Sequence, residues 1–288
     1  AAILLGAAAA AKSYFLGQVR RRVESAFVYD EFRLSYLPPT LVLKNVRSRP
    51  PSTAFAARTV AVRMSYLSLL RRDKPFVVFL DRPVVSLDEA ALRGDGKRRR
   101  PLFPQPFSVE RGLVHDGRIV FEGKELRLEL NKVRAVLSQK GTSFTCRGDW
   151  EEGLFKDAAS GRELSAAGGL SLFGKGEEIT LRRLALSGPE LSLDAKGRIV
   201  GTADPRLELK ILARLPADLP ARLIKLPFAW AGRLTARGDL VRDAKGFRYK
   251  TTLASRDLAL HRVPLGRVSG SLAVGPDLAG LIELDILS

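Results

Sequence analysis

The 288-residue chain contains a single cysteine, Cys146, and only two histidines, His115 and His261. One cysteine excludes a disulfide framework and any multi-cysteine zinc site. Two separated histidines leave little material for a metal centre or a catalytic triad. Neither Gly-x-Ser-x-Gly nor His-Glu-x-x-His occurs. Aromatic residues make up only 7% of the chain, too few to fill the core of a large β-sandwich. Long helical patterns are missing beyond the first thirty residues, so helices are not expected to cover a sheet. These absences turn the reading away from catalysis and cofactors and toward binding, transport or scaffolding. What is present is 45% hydrophobic and 27% charged, with a net charge of +17. Such a composition is neither disordered nor wholly membrane-buried. The length fits one large domain or two ordinary ones.

Residues 1–17 are apolar except for Lys12, Ser13 and Tyr14. As a helix they would span about 25 Å, close to the hydrocarbon thickness of a bilayer. Phe15, Val19, Val23 and Phe27 then recur every four residues, with Arg20, Arg21 and Arg22 on the other side. The expectation is a membrane anchor over 1–27, held by Ile3, Leu4, Leu5, Phe15, Leu16, Val19, Val23 and Phe27, that emerges into an amphipathic helix. A signal peptide would be followed by a small-residue cleavage region instead. The chain starts without Met and stops on an alternating segment, and it reads as a fragment of something longer.

From Phe32 onward apolar and polar residues alternate with period two. Strands are expected over 32–36, 41–46, 59–64, 76–80 and 84–87, with Arg82-Pro83 as a turn and one helical turn over 66–71. A Pro- and Gly-rich break over 93–106 carries the run Lys97-Arg98-Arg99-Arg100. Further strands are expected over 118–122, 126–130, 133–137, 143–147, 169–173, 179–186, 191–200, 207–215, 230–239, 247–255, 258–261, 268–274 and 281–286. A short helical turn fits 219–226. Short internal matches, such as residues 80–88 with 186–194 and 117–120 with 197–200, favour reiterated hairpins.

One parity of these strands is aliphatic and the other charged. Leu207, Leu209 and Ile211 alternate with Arg206, Glu208 and Lys210. A sheet with one apolar face must have that face covered. Either the sheet closes on itself, or it stays open for an apolar guest. For the open form the lining is expected from Leu126, Leu128, Leu130, Leu191, Leu193, Leu207, Leu209, Ile211, Leu234, Leu253 and Leu272.

Other signals are weaker. Gly169-Leu-Ser-Leu-Phe-Gly-Lys175 follows phosphate-loop spacing, but Gly176 replaces the metal-binding hydroxyl and Glu177 and Glu178 would repel phosphate. Residues 1–111 hold 20 basic against 9 acidic residues. Near a membrane anchor, such a region is attracted to anionic headgroups. Arg20, Arg21, Arg22, Lys97, Arg98, Arg99 and Arg100 are therefore candidate headgroup contacts. No aromatics interleave with the 97–100 run, so nucleic acid is not an expected partner. His115 falls in a turn, His261 ends a strand, and Cys146 is an ordinary strand residue.

Several blocks together point to a family. An apolar amino-terminal segment is followed by Leu41-Val-Leu-Lys-Asn-Val-Arg47, Phe55-Ala-Ala-Arg-Thr-Val-Ala-Val-Arg63 and Tyr66-Leu-Ser-Leu-Leu-Arg71. Then come Arg82-Pro-Val-Val-Ser-Leu-Asp88, Trp230-Ala-Gly-Arg-Leu-Thr-Ala-Arg-Gly-Asp-Leu240 and residues 254–270. This order resembles the AsmA/TamB family of bacterial envelope proteins, which are similar to the bridge-like lipid-transfer proteins with a chorein start. The chain departs from that pattern in being short and strongly basic, as expected of a groove cut short. The resemblance implies an inner-membrane protein with a single N-terminal pass and a periplasmic body. It implies an all-β fold, an elongated, twisted antiparallel sheet curled into an open apolar groove. By the same resemblance, residues 28–92 are a chorein-like cap, 93–106 a basic loop and 107–288 the groove repeats. The implied activity is conduction of phospholipid between inner and outer membranes, without an enzyme site, metal or cofactor. The alternative is an envelope scaffold that assists outer-membrane assembly proteins through edge-strand contacts.

Overall fold

The structure is a computed structural model, which describes residues 20–21, 23–36, 38–49, 54–64, 76–88, 109–124, 126–157, 161, 163–201, 206–218, 229–243, 246–275 and 280–287. Among the described residues, nineteen strands form one sheet. In chain order the first seven are β1 (Phe27–Val28), β2 (Glu31–Tyr36), β3 (Pro39–Ser48), β4 (Ala54–Met64), β5 (Phe76–Asp88), β6 (Val109–Glu122) and β7 (Leu126–Lys140). There follow β8 (Ser143–Trp150), β9 (Glu152–Asp157), β10 (Glu163–Ser165), β11 (Ala167–Lys175), β12 (Glu178–Ser187), β13 (Ser192–Val200) and β14 (Arg206–Pro216). The last five are β15 (Trp230–Ala231), β16 (Arg233–Asp243), β17 (Gly246–Leu260), β18 (Val263–Val274) and β19 (Gly280–Leu287).

The sheet is open. Its pairings run from β2 through β3, β4, β5, β6, β7, β8, β11, β12, β13, β14, β16, β17 and β18 to β19. Four short strands extend longer neighbours. β1 lies in line with β2 against β3, and β15 in line with β16 against β17. Likewise β9 continues β8 along β7, and β10 continues β11 along β9. All pairs are antiparallel except β5–β6, which is parallel. The expectation of a purely antiparallel sheet is corrected there. Parallel neighbours need a long return connection, and the basic break at 93–106, outside the described residues, falls in that connection. The pairing joins the strands before the break to those after it in one sheet.

A line of irregularities crosses the first half of the sheet. Asn45 and Arg58 face each other unpaired between the pairs Lys44–Thr59 and Val46–Ala57. On β5, Arg82 lies between Asp81 and Pro83, which pair with Thr59 and Ala57. Asn45, Arg82, Asp116 and Lys132 all take left-handed backbone, with φ of 52°, 48°, 52° and 53°. The line continues at Glu151, between β8 and β9, and at Ala166, whose amide donates to the Gly153 carbonyl (2.9 Å). These are bulge-like insertions: on β3, β4, β5 and β6 the extra residues stand opposite one another and leave the register unshifted, whereas β6–β7 shifts register around Gly117. Each strand gains one residue, so the side chains beyond it exchange faces. Apolar positions therefore run 41, 43, then 46 on β3; 78, 80, then 83 on β5; and 128, 130, then 133 on β7. The bulges keep both halves of each strand apolar on the same side.

This geometry revises several expected boundaries. Residues 76–80 and 84–87 are one strand, β5, because Arg82-Pro83 is a bulge and not a turn. Residues 126–130 and 133–137 are likewise one strand, β7, and 247–255 and 258–261 fall mainly in β17. The similar segments 80–88 and 186–194 fold differently. The first is continuous strand, whereas the second contains the turn at Gly188–Leu191, closed by the Gly188 amide donating to the Leu191 carbonyl (2.8 Å). The segments 117–120 and 197–200 do correspond, with Gly117, Ile119, Gly197 and Ile199 all on the apolar side. The helical turns expected over 66–71 and 219–226 lie outside the described residues.

Packing is local. One cluster gathers Leu41 (8% exposed), Leu43 (4%) and Val46 (1%), with Val23, Phe27, Phe32 and Phe55 against it. Another gathers Ala217, Leu234, Leu258 and Val268, flanked by Trp230 and Leu265. Two aromatic rings lie over glycines that face them in register. Phe144 covers Gly174 and Trp150 covers Gly168, so close that a Cβ on either glycine would overlap the ring. Such pairs restore cover where the strand has no side chain.

Candidate functional site

The register places one parity of every long strand on a common face. Across the second half it runs Leu181–Gly197–Leu209–Leu240 and Leu184–Ala195–Ile211–Gly238 from strand to strand. It continues through Thr251 to Leu272. In the first half, Leu43–Val60–Leu80–Val114–Ala135 forms one such line. Among the described side chains, the charged residues at this parity are Glu110 and Arg242, both near strand ends. Two of its hydroxyls are buried, and both are satisfied. Ser255 Oγ donates to the Arg233 carbonyl (2.8 Å) and Thr251 Oγ1 to the Thr252 carbonyl (3.2 Å).

The other face is charged and carries cross-strand pairs, including Arg198–Glu208 (2.8 Å), Arg183–Asp194 (3.3 Å) and Arg134–Asp149 (2.8 Å). Apolar residues on that face are well exposed, as with Leu212 at 45% and Phe79 at 37%. By contrast, most apolar-face side chains are half-buried, although no second layer lies on them among the described residues. Neighbouring strands supply the partial cover. At Gly197 an added Cβ would lie 1.9 Å from the Glu208 carbonyl oxygen, and at Gly238, 2.1 Å from that of Lys250. The backbone there bends over the apolar side so closely that only glycine fits.

The expected lining residues fall as follows. Leu128, Leu130, Leu193, Leu207, Leu209, Ile211 and Leu253 are half-buried on this face. Leu234 (9%) and Leu272 (4%) are buried, Leu234 within the cluster around Leu258. Leu191 is half-buried in the turn before β13. Leu126 pairs with Asp157 on β7, and its side chain lies outside the described set. Cys146, read as an ordinary strand residue, pairs with Leu172 and Leu137 on the apolar face, and burial pushes its thiol pKa up. Residues not foreseen include Val46, Val60, Leu80, Ile119 and Leu184. Their signal is the i, i+2, i+5 spacing that a bulge imposes on an alternating strand.

Of the anchor residues, Val23 and Phe27 pack against the Leu41–Leu43–Val46 cluster. Ile3, Leu4, Leu5, Phe15, Leu16 and Val19 lie outside the described residues. No helix among the described residues is long and apolar enough to cross a membrane. Arg20 and Arg21 are exposed, and Arg20 pairs with Glu24 (2.7 Å). Arg22, Lys97, Arg98, Arg99 and Arg100 lie outside the described residues. The phosphate-loop-like stretch is strand β11 followed by a hairpin turn at Gly176 (φ 60°), so no helix follows it. His115 sits on the polar side, 3.1 Å from Asp81. No protein-family model matches the chain, and no curated protein matches it.

Proposed function

We propose that the apolar face is an open groove for acyl chains, and that the protein conducts phospholipid between the inner and outer membranes of a bacterial envelope. One observation carries this reading. A face that is almost free of charge runs across the sheet, half-buried and without a covering layer among the described residues, while the other face is charged. Each buried methylene is worth about 0.8 kcal/mol. Pulling a diacyl lipid of roughly 30 methylenes bare into water would cost on the order of 20 kcal/mol by the same figure. A continuous aliphatic surface removes most of that cost. With no charged anchor in its middle, no single position holds the lipid, and chains can slide along it. Headgroups stay at the rim in water. Direction must come from a gradient or an energised partner.

In this reading the apolar segment ahead of Val23 tethers the chain to the inner membrane, while Val23 and Phe27 pack on the sheet and the strands stand in the periplasm. The resemblance to the AsmA/TamB family supports that placement. The test is transfer of a fluorescent phospholipid between vesicles by the full chain. Transfer that is lost with Ile211→Asp, in a protein that remains folded, supports conduction. Transfer unaffected by charges placed along the face contradicts it. The second reading, an envelope scaffold assisting outer-membrane assembly, has one observation in its favour: among the described residues β19 pairs only with β18, which leaves an open strand edge.

A further inference from the structure

The charged face holds a feature that an acyl groove does not require. Lys196 on β13 and Lys210 on β14 are direct register partners. Like charges placed opposite each other destabilise a sheet. The same line continues the other way. Arg147 on β8 is in register with Ser171 on β11, and Ser171 with Arg183 on β12. The β12–β13 register skips Arg182 and Arg183, which places both opposite Lys196. Five cations therefore stand in a band from β8 to β14, four inter-strand steps or about 19 Å.

Among the described residues, one of the five is ion-paired. Arg183 pairs with Asp194 at 3.3 Å, with both side chains exposed. Arg182 stacks its guanidinium over the Phe173 ring, 5.1 Å from the centroid. Arg147, Lys196 and Lys210 make no ion pair among the described residues. On its far side Lys210 is in register with Asp239, yet the two form no ion pair within 4.0 Å. The band is also hollowed. One depression of about 670 Å³ is lined by Arg147, Arg182 and Arg183, by Asp149, and by small residues such as Gly169, Ser171 and Ala185. A second, of about 680 Å³, is lined by Lys196, Arg198 and Lys210 together with the carboxylates Glu178, Glu208 and Asp239, and Arg182 lines both.

We propose that this band is a binding site for clustered phosphate groups, on the face opposite the apolar one. Arginine forks match phosphate oxygens bidentately, and lysines add point charge. A bound polyanion would also relieve the Lys196–Lys210 repulsion. Bases have no free aromatic surface to stack on here, because Arg182 occupies Phe173. The phosphates belong either to a soluble polyphosphate or to the headgroups of an anionic bilayer.

The experiment titrates inorganic tripolyphosphate into the full chain by calorimetry, at low and high salt, and repeats this with Lys196→Gln. Saturable, salt-weakened binding is expected, reduced about tenfold or more by the substitution, the effect of about 1.4 kcal/mol. Without ligand the same variant should melt at a higher temperature than the parent, because the like-charge contact is gone. Lys210→Gln should reproduce both changes. Arg63→Gln on β4, an exposed cation outside the band, should reproduce neither. Co-sedimentation with phosphatidic acid vesicles separates the sources. Vesicle binding that tripolyphosphate displaces identifies headgroups, and tripolyphosphate binding without vesicle binding identifies a soluble ligand. Absence of saturable binding, or equal losses with Lys196→Gln and Arg63→Gln, overturns the proposal.

Discussion

Replacing Ile211 by aspartate separates an open groove from a sealed core. Ile211 sits in the middle of β14, with Ala195 and Gly238 as register partners, and it is half-buried. Small partners leave its side chain covered mainly by its own strand and the next row. Full burial of an isoleucine is worth about 1.5–3 kcal/mol, so half-burial contributes about 1. The poorer strand preference of aspartate adds up to about 1 more. With no layer above it among the described residues, the carboxylate keeps its water and pays no large desolvation cost. The expected loss is about 2 kcal/mol. In a sealed core an unpaired carboxylate would cost about 3–5 kcal/mol beyond the lost burial. Urea denaturation, with an unchanged m-value, measures the difference. Leu258→Asp serves as the internal contrast, because Leu258 is 1% exposed and lies in a closed cluster. It should lose well over about 4 kcal/mol. Losses of similar size at the two positions would refute the reasoning, since Ile211 would then be as sealed as Leu258.

Three further outcomes follow from the same geometry. Leu258→Ala should cost about 3 kcal/mol in denaturant unfolding, the usual cost of a cavity in a closed cluster. Acid should weaken the sheet through its charged side. Hydrogen bonds from Arg20 to Glu24, from Lys44 and Arg33 to Glu31, and from Arg198 to Glu208 hold these carboxyls below their ordinary value. Their contribution is present above the unfolded carboxylate range and lost as pH falls through the lower folded values. Melting temperature followed from neutral to strongly acidic pH should therefore fall, less steeply in high salt, because the pairs are exposed. A flat profile would contradict this. Finally, Cys146 should alkylate more slowly than a free thiol at mildly alkaline pH, and more slowly still with phospholipid present, because its thiol is half-buried and lies on the apolar face. Acceleration by lipid would count against that placement.

Period-two alternation made the strand content legible, and with it the face to which Leu207, Leu209 and Ile211 belong. The bulges were not legible. Arg82-Pro83 and Asn131-Lys132 carry polar or ring residues that resemble turns, so single strands read as pairs. Only cross-strand partners reveal that Val46, Val60 and Pro83 return to the same face. The parallel β5–β6 pair was equally hidden, because alternation carries no strand direction. Burial of Leu234 depends on Leu258, which reaches the apolar side through the irregularity after Ser255. The match between residues 80–88 and 186–194 misled, since Pro83 is accommodated by a bulge where Pro189 helps close a turn. The cation band, too, required the register, since Arg147, Lys196 and Lys210 are far apart in sequence.

Photo-crosslinking tests the central claim most directly. A photoreactive residue is placed in turn at each position from 207 to 215 of β14, in the full chain, and exposed to phospholipid labelled in its acyl chains. The groove predicts crosslinks at 207, 209, 211, 213 and 215 and none at 208, 210, 212 and 214, the alternation set by the β14 register. Crosslinks without that alternation, or none at any odd position in a folded protein, would contradict an acyl-binding face.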